Sequence, residues 1–207
     1  MTNNLDDILN TYKSEYIGNN DFLIDLYSKN LILLNNINSF KNTDQLYTFI
    51  SLTWRYVNAI YEKDQFNNTV TMVNKSLCII DKGIEMLNAN ELRNDFYYGL
   101  IFLKGMACYR LQDYKSSTPI FKQLTEIDDK NDNFKKWLKY SKYGQNLWLV
   151  NTIWIVSIFL LAVDILFKSY VTNSTLRILI PTVGLIGLIS NYSFEYYIKR
   201  SFKKSEQ

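Results

Sequence analysis

The fold is indicated by the stretch ACYRLQDYKSSTPIF, residues 107–121, and by its counterpart AIYEKDQFNNTVTMV, residues 59–73. Each reads as a small residue, an aromatic residue, a short polar turn and an aromatic residue that begins the return segment. A small residue lets two antiparallel helices approach closely, and the aromatic after the turn fills the wedge between them. The matching pairs, 48 positions apart, are Ala59 and Ala107, Tyr61 and Tyr109, Phe66 and Tyr114, Val73 and Phe121, and Ile79 and Ile127. The sequence therefore predicts one helical hairpin used twice in an all-α protein.

The second hairpin, residues 99–131, resembles the tetratricopeptide repeat. The residues that carry the resemblance are Gly105, Leu111, Asp113, Tyr114, Ser117, Phe121 and Asp128. Leu124 and Asp129 depart from the repeat, which usually has a small residue and a proline there. The copy at residues 50–83 has Val57 at the first small position but Thr69 and Ser76 at later ones, and its offset of 48 exceeds the usual repeat length of about 34. The resemblance implies tetratricopeptide-like antiparallel helical hairpins over residues 46–134.

The resemblance also implies a binding face. Stacked hairpins of this kind form a curved surface whose concave side binds peptides or partner proteins. The groove-facing positions correspond here to Trp54, Asn58, Tyr61, Glu62, Phe102, Met106, Tyr109 and Arg110. Aromatic and arginine side chains make good anchors for a partner. An alternative stays open, in which residues 1–40 cover the same aromatic side chains and make them part of the core.

The chain has only 2 Pro and 7 Gly, so long uninterrupted helices are expected. We expect helices up to Gly18, over 21–36, from a cap at Thr43 and Asp44 to Lys63, and over 66–87, 96–111 and 115–127. Residues 1–45 then form N-terminal helices that pack on the repeat domain, and the basic juxtamembrane helix at 135–146 continues into a membrane span. The N-terminus lacks the basic and then apolar pattern of a secretory signal.

Two apolar runs near the C-terminus, residues 147–167 and 176–198, predict a transmembrane helical hairpin over 147–198 with a short turn at 168–175. As a helix the first run is about 30 Å long, which matches the hydrocarbon thickness of a bilayer. Aromatic residues typical of a membrane interface are Trp148, Trp154, Tyr170, Tyr192, Tyr196 and Tyr197. The alternative is a pair of helices buried in a soluble core.

The distribution of charge predicts the orientation. Residues 1–134 carry 13 Lys and Arg against 17 Asp and Glu, whereas the remainder carries 10 against 3. The basic residues before the first span and after the second are Lys135, Lys136, Lys139, Lys142, Lys199, Arg200, Lys203 and Lys204. Because cytosolic flanks carry the excess of Lys and Arg, both termini, including the basic tail 199–207, are expected in the cytosol. The flanks predict contact with anionic lipid and no nucleic-acid partner. We expect a bacterial inner membrane.

The residue types argue against an enzyme. There is no histidine, which removes the commonest general base and most zinc and haem ligation schemes. Cys78 and Cys108 form no CxxC pair and are expected to be reduced, buried thiols. There is no Gly-rich phosphate loop, and Ser116 and Ser117 are interpreted as helix caps. We expect no metal, no cofactor and no catalytic site.

One carboxylate, Asp164, lies within a span and is the intramembrane polar candidate. Its spacing to Lys168 permits an ion pair at the membrane interface, which is the structural interpretation. Pro181, Gly184 and Gly187 put small residues on the second span, which predicts close packing against the first span or against another copy. A homo-oligomer through the transmembrane helices is therefore a further hypothesis.

Two functions remain. The first is a membrane-anchored scaffold that recruits a protein partner to the cytosolic face. The second is a membrane effector, of the stress or phage-defence type, whose helical hairpin perturbs the bilayer. In the effector, Asn151, Asp164, Asn191 and Glu195 would line a polar path. The two hypotheses differ on whether residues 1–142 stay active on an unrelated anchor.

Overall fold

The computed structural model describes residues 4–16, 18–167 and 174–203, and in these residues the protein is all-α with no strand. A short 3-10 turn, Asn90–Leu92, precedes the sixth helix. The helices in chain order are α1 Leu5–Glu15, α2 Asn20–Lys29, α3 Leu31–Asn35, α4 Thr43–Glu62, α5 Phe66–Leu87, α6 Asp95–Arg110, α7 Tyr114–Ile127, α8 Asp132–Gln145, α9 Leu147–Phe167 and α10 Ser174–Lys203. The chain divides into two compact units, Met1–Leu138 and Lys139–Gln207.

In the first unit, α4 and α6 lie at the centre. α4 contacts α1, α2, α5 and α6, and α6 contacts α4, α5 and α7. Each of these helices turns an apolar face inward, and the largest fully buried side chains are Ile8, Leu23, Tyr27, Leu34, Leu46, Phe49, Ile50, Leu52, Ile80, Ile84, Leu100 and Phe121. The first two turns of α8 add Phe134, Trp137 and Leu138 to the edge of this core. The first unit therefore has one continuous core rather than separate hairpin cores.

The two predicted turns, after α4 and after α6, have the same backbone geometry. Asp64 and Gln112, 48 positions apart, both have positive φ, at 57° and 61°. In the first turn the N–H of Asp64 donates to the carbonyl of Tyr61 at 2.9 Å, and that of Gln65 donates to Ile60 at 3.1 Å. In the second turn the same two bonds, both 2.9 Å, join Gln112 to Tyr109 and Asp113 to Cys108. These bonds satisfy carbonyls that the end of a helix leaves free.

The two hairpins differ in the size of the buried side chains that pack between their helices. Val57 and Val73 are both fully buried in the first copy. At the equivalent positions of the second copy, Gly105 lies against the ring of the fully buried Phe121, and a Cβ on Gly105 would be 2.8 Å from Cε1 of that ring. One medium-sized pair has therefore been replaced by one small and one large residue.

Three predicted boundaries are wrong in detail, each because of an asparagine. The single helix expected over 21–36 is interrupted at Asn30, whose Nδ2 donates to the carbonyl of Leu26 at 2.8 Å. α4 is capped by Asn42, whose Oδ1 accepts from the N–H of Gln45 at 2.9 Å, so Thr43 and Asp44 lie inside the first turn. α8 does not continue into the span, because Asn146 forms a turn between α8 and α9. Asparagine competes for backbone hydrogen bonds and so favours helix ends.

The second unit contains two helices that are long and apolar enough to cross a membrane, Leu147–Leu166 and Thr175–Ser193. Only 11% of each window is buried, so neither forms the core of a soluble domain in the described residues. Large exposed apolar side chains, such as Ile155, Phe159 and Ile178, cover their surfaces. α9 and α10 pack against each other, and Gly184 and Gly187 of α10 face Ser157 and Leu161 of α9. The small residues therefore allow close packing of α10 against α9.

Candidate partner-binding face

The predicted face is divided between two neighbouring helices. Trp54, Asn58 and Tyr61 lie on α4, and Phe102, Met106, Tyr109 and Arg110 lie on α6. All of these side chains are half-buried except Arg110, which is exposed. Because α4 and α6 contact each other, the structure places both groups on adjoining helices of one unit.

The aromatic residues of α6 are covered by α8. The ring of Phe102 lies 5.4 Å from the ring of Phe134 and 6.3 Å from that of Trp137. Tyr109 lies 5.2 Å from Trp137, which also stacks on Phe121 at 5.7 Å. The alternative that these side chains are covered is therefore partly right, but the covering element is α8 rather than residues 1–40. Met106 is likewise half-buried against the core.

Trp54 fills the contact between α4 and α6. Its ring lies 5.3 Å from the ring of Phe96, and its indole occupies the space that a side chain at Gly99 would need. The small residue at 99 thus admits a large side chain from the neighbouring helix. Trp54 therefore has a packing role, with one part of its ring left accessible.

The N-terminal helices contact a different side of α4. The hydroxyls of Tyr12 and Ser51 are hydrogen-bonded at 3.0 Å, and the ring of Tyr27 stacks on that of Tyr56 with centroids 3.9 Å apart. At the end of α4, Lys63 forms an ion pair with Asp21 at 2.7 Å. Helices α1 and α2 therefore pack along α4, beside the predicted face.

A polar group lies at the C-terminal ends of α4 and α6. Asn58 donates to Glu62 at 2.7 Å, and Asn20 donates to the other carboxylate oxygen of Glu62 at 2.8 Å. The nearby Tyr61 hydroxyl raises the pKa of Arg110, with a smaller contribution from the charge of Asp64. Of the predicted residues, Tyr61 of α4 and Arg110 of α6 therefore lie near each other. Asn58 lies one helical turn before Tyr61 on α4.

Sequence reasoning missed Arg55. Its Cζ lies 5.0 Å from the centre of the Tyr16 ring and 5.8 Å from that of Trp54, so the guanidinium lies against two aromatic rings. Burial opposes the charge, but the hydroxyls of Tyr16 and Tyr12 outweigh it and raise the pKa of Arg55. A signal was present, because Arg55 is the only charged residue between Gln45 and Tyr61. A lone charge in an otherwise uncharged, largely apolar helix indicates either a buried polar contact or a binding role.

The two cysteines have different environments. Cys108 is buried, and burial raises the pKa of its thiol. Cys78 is exposed, which contradicts the expectation of two buried thiols. The reason is the register of α5, where Ile80 and Ile84 face the core and Cys78 is rotated away from them. Within the described residues, no group of three Cys, Asp or Glu side chains is placed to hold a metal.

The polar residues of α9 and α10 differ in their exposure. Asn191 is buried and donates to the backbone carbonyl of Val150 at 2.9 Å, whereas Asn151 is exposed. Asp164 is half-buried, and its predicted ion-pair partner Lys168 lies outside the described residues. The side chain of Glu195 also lies outside them.

Comparisons with known proteins assign no family or function to the chain. No protein-family model, no curated protein and no solved structure matches the chain. Function is therefore inferred from the residues of the chain and their geometry.

Proposed function

We propose that the protein is a membrane-anchored scaffold, in which a tetratricopeptide-like domain recruits a protein partner to the cytosolic face of a bacterial inner membrane. The observation that carries the proposal is the face on α4 and α6, where Asn58, Tyr61 and Arg110 remain accessible beside aromatic side chains. Aromatic and arginine side chains dominate the energetics of many protein interfaces. The same chain ends in two apolar helices that can hold this face at a bilayer.

The sequence in which neighbouring helices contact one another supports the tetratricopeptide-like assignment. α4 contacts its own return helix α5 and the next first helix α6, and α5 also contacts α6. This is the nearest-neighbour order that stacked helical repeats produce. The equal turns at Asp64 and Gln112 support a repeated unit of 48 residues.

The orientation of the anchor is argued from charge. Lys135, Lys136, Lys139 and Lys142 lie in α8, just before α9, and further basic residues follow Tyr197. Lysine and arginine close to a span favour the cytosolic side and attract anionic lipid. Both termini are therefore proposed to be cytosolic, with anionic lipid as a second partner and no nucleic acid.

The anchor role is favoured over the effector role by Asn191. Its amide is already satisfied by the carbonyl of Val150 inside the pair of helices, so it stabilises the pair rather than lining a path. Asn151, the other asparagine of the hypothetical path, is exposed on a different side. The described polar residues thus fit a two-helix anchor.

The first experiment is a crosslinked pull-down from membranes. It compares the intact protein with the variant Asn58→Ala, Arg110→Ala, in which Phe102 and Tyr109 are unchanged because they pack beneath Trp137. A matched control, Asn74→Ala, Lys115→Ala, changes exposed residues of α5 and α7. A partner captured by the intact protein and by the control, but not by the face variant, is the expected result. Equal capture by all three, or no specific partner, would contradict the proposed face.

A second experiment separates scaffold from effector. Residues 1–142 are fused to an unrelated membrane anchor, and recruitment of the captured partner is measured by co-fractionation with membranes. A scaffold keeps recruitment on the foreign anchor. Loss of activity on the foreign anchor, together with depolarisation of the membrane by the intact chain, would favour the effector.

A further inference from the structure

Arg55 lies on α4 at its contact with α1, beside Trp54 of the proposed face. Its guanidinium is held against Tyr16, which follows the end of α1, and against Trp54, which reaches towards α6. The two rings restrict the rotation of a long side chain, which otherwise loses much conformational freedom on binding. The positive charge is therefore already oriented before any partner arrives.

The charge of Arg55 has no acidic partner among the residues that the structure describes. The ion pairs there involve six other basic residues, and Arg55 takes part in none. Its Nε is buried without a hydrogen-bond acceptor, and its Nη1 reaches the Tyr16 hydroxyl at 3.5 Å, the outer limit of a hydrogen bond, with the Tyr12 hydroxyl also nearby. A guanidinium has five N–H donors, and the hydroxyls of the described residues take up only part of this capacity.

Arg93 provides an internal comparison. It lies 5.9 Å from the centre of the Tyr97 ring, much as Arg55 lies near Tyr16, but it also forms an ion pair with Asp81 at 3.4 Å. Arg93 has a structural role, and the carboxylate that pairs with it belongs to the same chain. Arg55 has the aromatic contacts of such a site without the carboxylate, although a half-buried charge is costly when it is unpaired.

We propose that Arg55 binds a carboxylate side chain, Asp or Glu, of the recruited protein partner. The proposal rests on the proposed scaffold function and adds the chemistry of the partner. A carboxylate matches the fork of a guanidinium and can accept two parallel hydrogen bonds from it. The rings of Tyr16 and Trp54 flank the guanidinium and favour apolar residues next to the acid. Arg110, at the C-terminal end of α6, adds a second positive charge to the first unit.

The experiment uses the full-length protein in detergent micelles and a displayed library of random dodecapeptides as the probe. Peptides selected on the intact protein are expected to be enriched in Asp or Glu next to apolar residues. Their affinity is then measured for Arg55→Gln, with Arg93→Gln as the matched control. Arg55→Gln is expected to weaken binding about tenfold or more, since a hydrogen-bonded charge pair is lost, and Arg93→Gln is expected to leave it unchanged.

A second measurement leaves the protein unaltered, so that it holds even if Arg55→Gln fails to fold. The acidic residue of a selected peptide is changed to its amide, Asp→Asn or Glu→Gln, and binding to the intact protein is expected to weaken by a similar factor. Where both partners are changed, the two losses are expected not to add.

The outcomes separate this inference from the scaffold proposal. Selected peptides without acidic enrichment, or equal affinity for Arg55→Gln and the intact protein, would overturn the carboxylate site. If those peptides still lose affinity for the Asn58→Ala, Arg110→Ala variant, the scaffold face stands without it. Failure of the intact protein to select any peptide would contradict both.

Discussion

Tyr27 and Tyr97 are two buried tyrosines with similar pKa values and different hydrogen bonding. Burial raises the pKa of each to about 12. The Tyr27 hydroxyl lies near Thr53 and Ser76, which lower its pKa slightly, but it forms no aligned hydrogen bond. The Tyr97 hydroxyl donates to Asp81 at 2.9 Å, and that carboxylate raises its pKa further. The same residue type is therefore placed once as a packing group and once as a donor.

We expect opposite results from removing these hydroxyls. Tyr27→Phe should leave the free energy of unfolding unchanged or raise it, because a buried unpaired hydroxyl costs about 1–3 kcal/mol. Tyr97→Phe should lower it by about 1 kcal/mol, because Asp81 loses its shorter hydrogen bond and keeps only the longer contact with Arg93. Thermal unfolding followed by circular dichroism at pH 7 measures both changes. A larger loss for Tyr27→Phe than for Tyr97→Phe would contradict the assigned hydrogen bonding.

The raised pKa of Tyr27 also predicts an alkaline loss of stability. In the unfolded chain the phenol titrates near pH 10, and in the folded chain near pH 12. The stabilisation of the neutral form is fully present below pH 10 and is lost as the pH rises towards 12, by about 2–3 kcal/mol for a two-unit shift. Tyr27→Phe should flatten the dependence of unfolding free energy on pH in this window. An unchanged slope would show that other groups dominate there.

At the scale of elements, the two equal turns give the sharpest test of the repeated unit. Gln112 has φ 61°, a left-handed conformation that costs a non-glycine residue about 1 kcal/mol. Gln112→Gly should therefore raise the unfolding free energy by a few tenths to about 1 kcal/mol. The control is Gln123→Gly in the exposed interior of α7, which should lower it by about 1 kcal/mol. Both unfolding free energies are measured by thermal unfolding. If the two variants shift this free energy in the same direction, the turn geometry is contradicted.

The packing behind the turns can be exchanged between copies. Gly105→Val should overpack the site against Phe121, at a cost of about 1–3 kcal/mol, and Phe121→Val should leave a cavity, at a cost of about 2–4 kcal/mol. The double variant reproduces the Val57 and Val73 pair of the first copy. Its loss should be smaller than the sum of the two single losses, because each change relieves the other. Strict additivity in chemical denaturation would show that the two sites are independent.

The elements also show what the sequence could predict. Apolar periodicity and polar turn residues predict several elements closely. These are the whole of α5, the end of α7 at Ile127, and the turns at Asp64 and Gln112. The interruption at Asn30 and the cover of α8 over Phe102 were not predicted. Periodicity shows that a helix has an apolar face but not which other helix covers it.

The candidate site shows the same limit. The resemblance predicts that Tyr61 and Arg110 share one face, and in the structure the Tyr61 hydroxyl lies near enough to the Arg110 guanidinium to raise its pKa. Arg55 was missed because the repeat pattern records packing positions, and an arginine between two rings has no spacing signal. Its isolation among uncharged residues was the available clue.

At the scale of the whole molecule, the two cysteines provide a test of orientation. Cys78 is exposed in the first unit and Cys108 is buried. If the first unit is cytosolic, a membrane-impermeant maleimide should label the protein in inverted membrane vesicles and not in intact spheroplasts. Cys78→Ser should abolish labelling, and Cys108→Ser should leave it unchanged. Labelling in spheroplasts would place the first unit outside and overturn the proposed orientation.

The hydrogen bond between Asn191 and the carbonyl of Val150 also bears on biosynthesis. The second candidate span has a lower mean hydropathy than the first, 1.3 against 2.3. The Asn191 amide lies near its C-terminal end. An amide that enters lipid alone has no acceptor, whereas one that enters beside α9 finds the carbonyl of Val150 already there. We therefore expect the insertion machinery of the cell to release the two helices as a pair, with α9 retained next to α10 until residue 191 has entered the membrane.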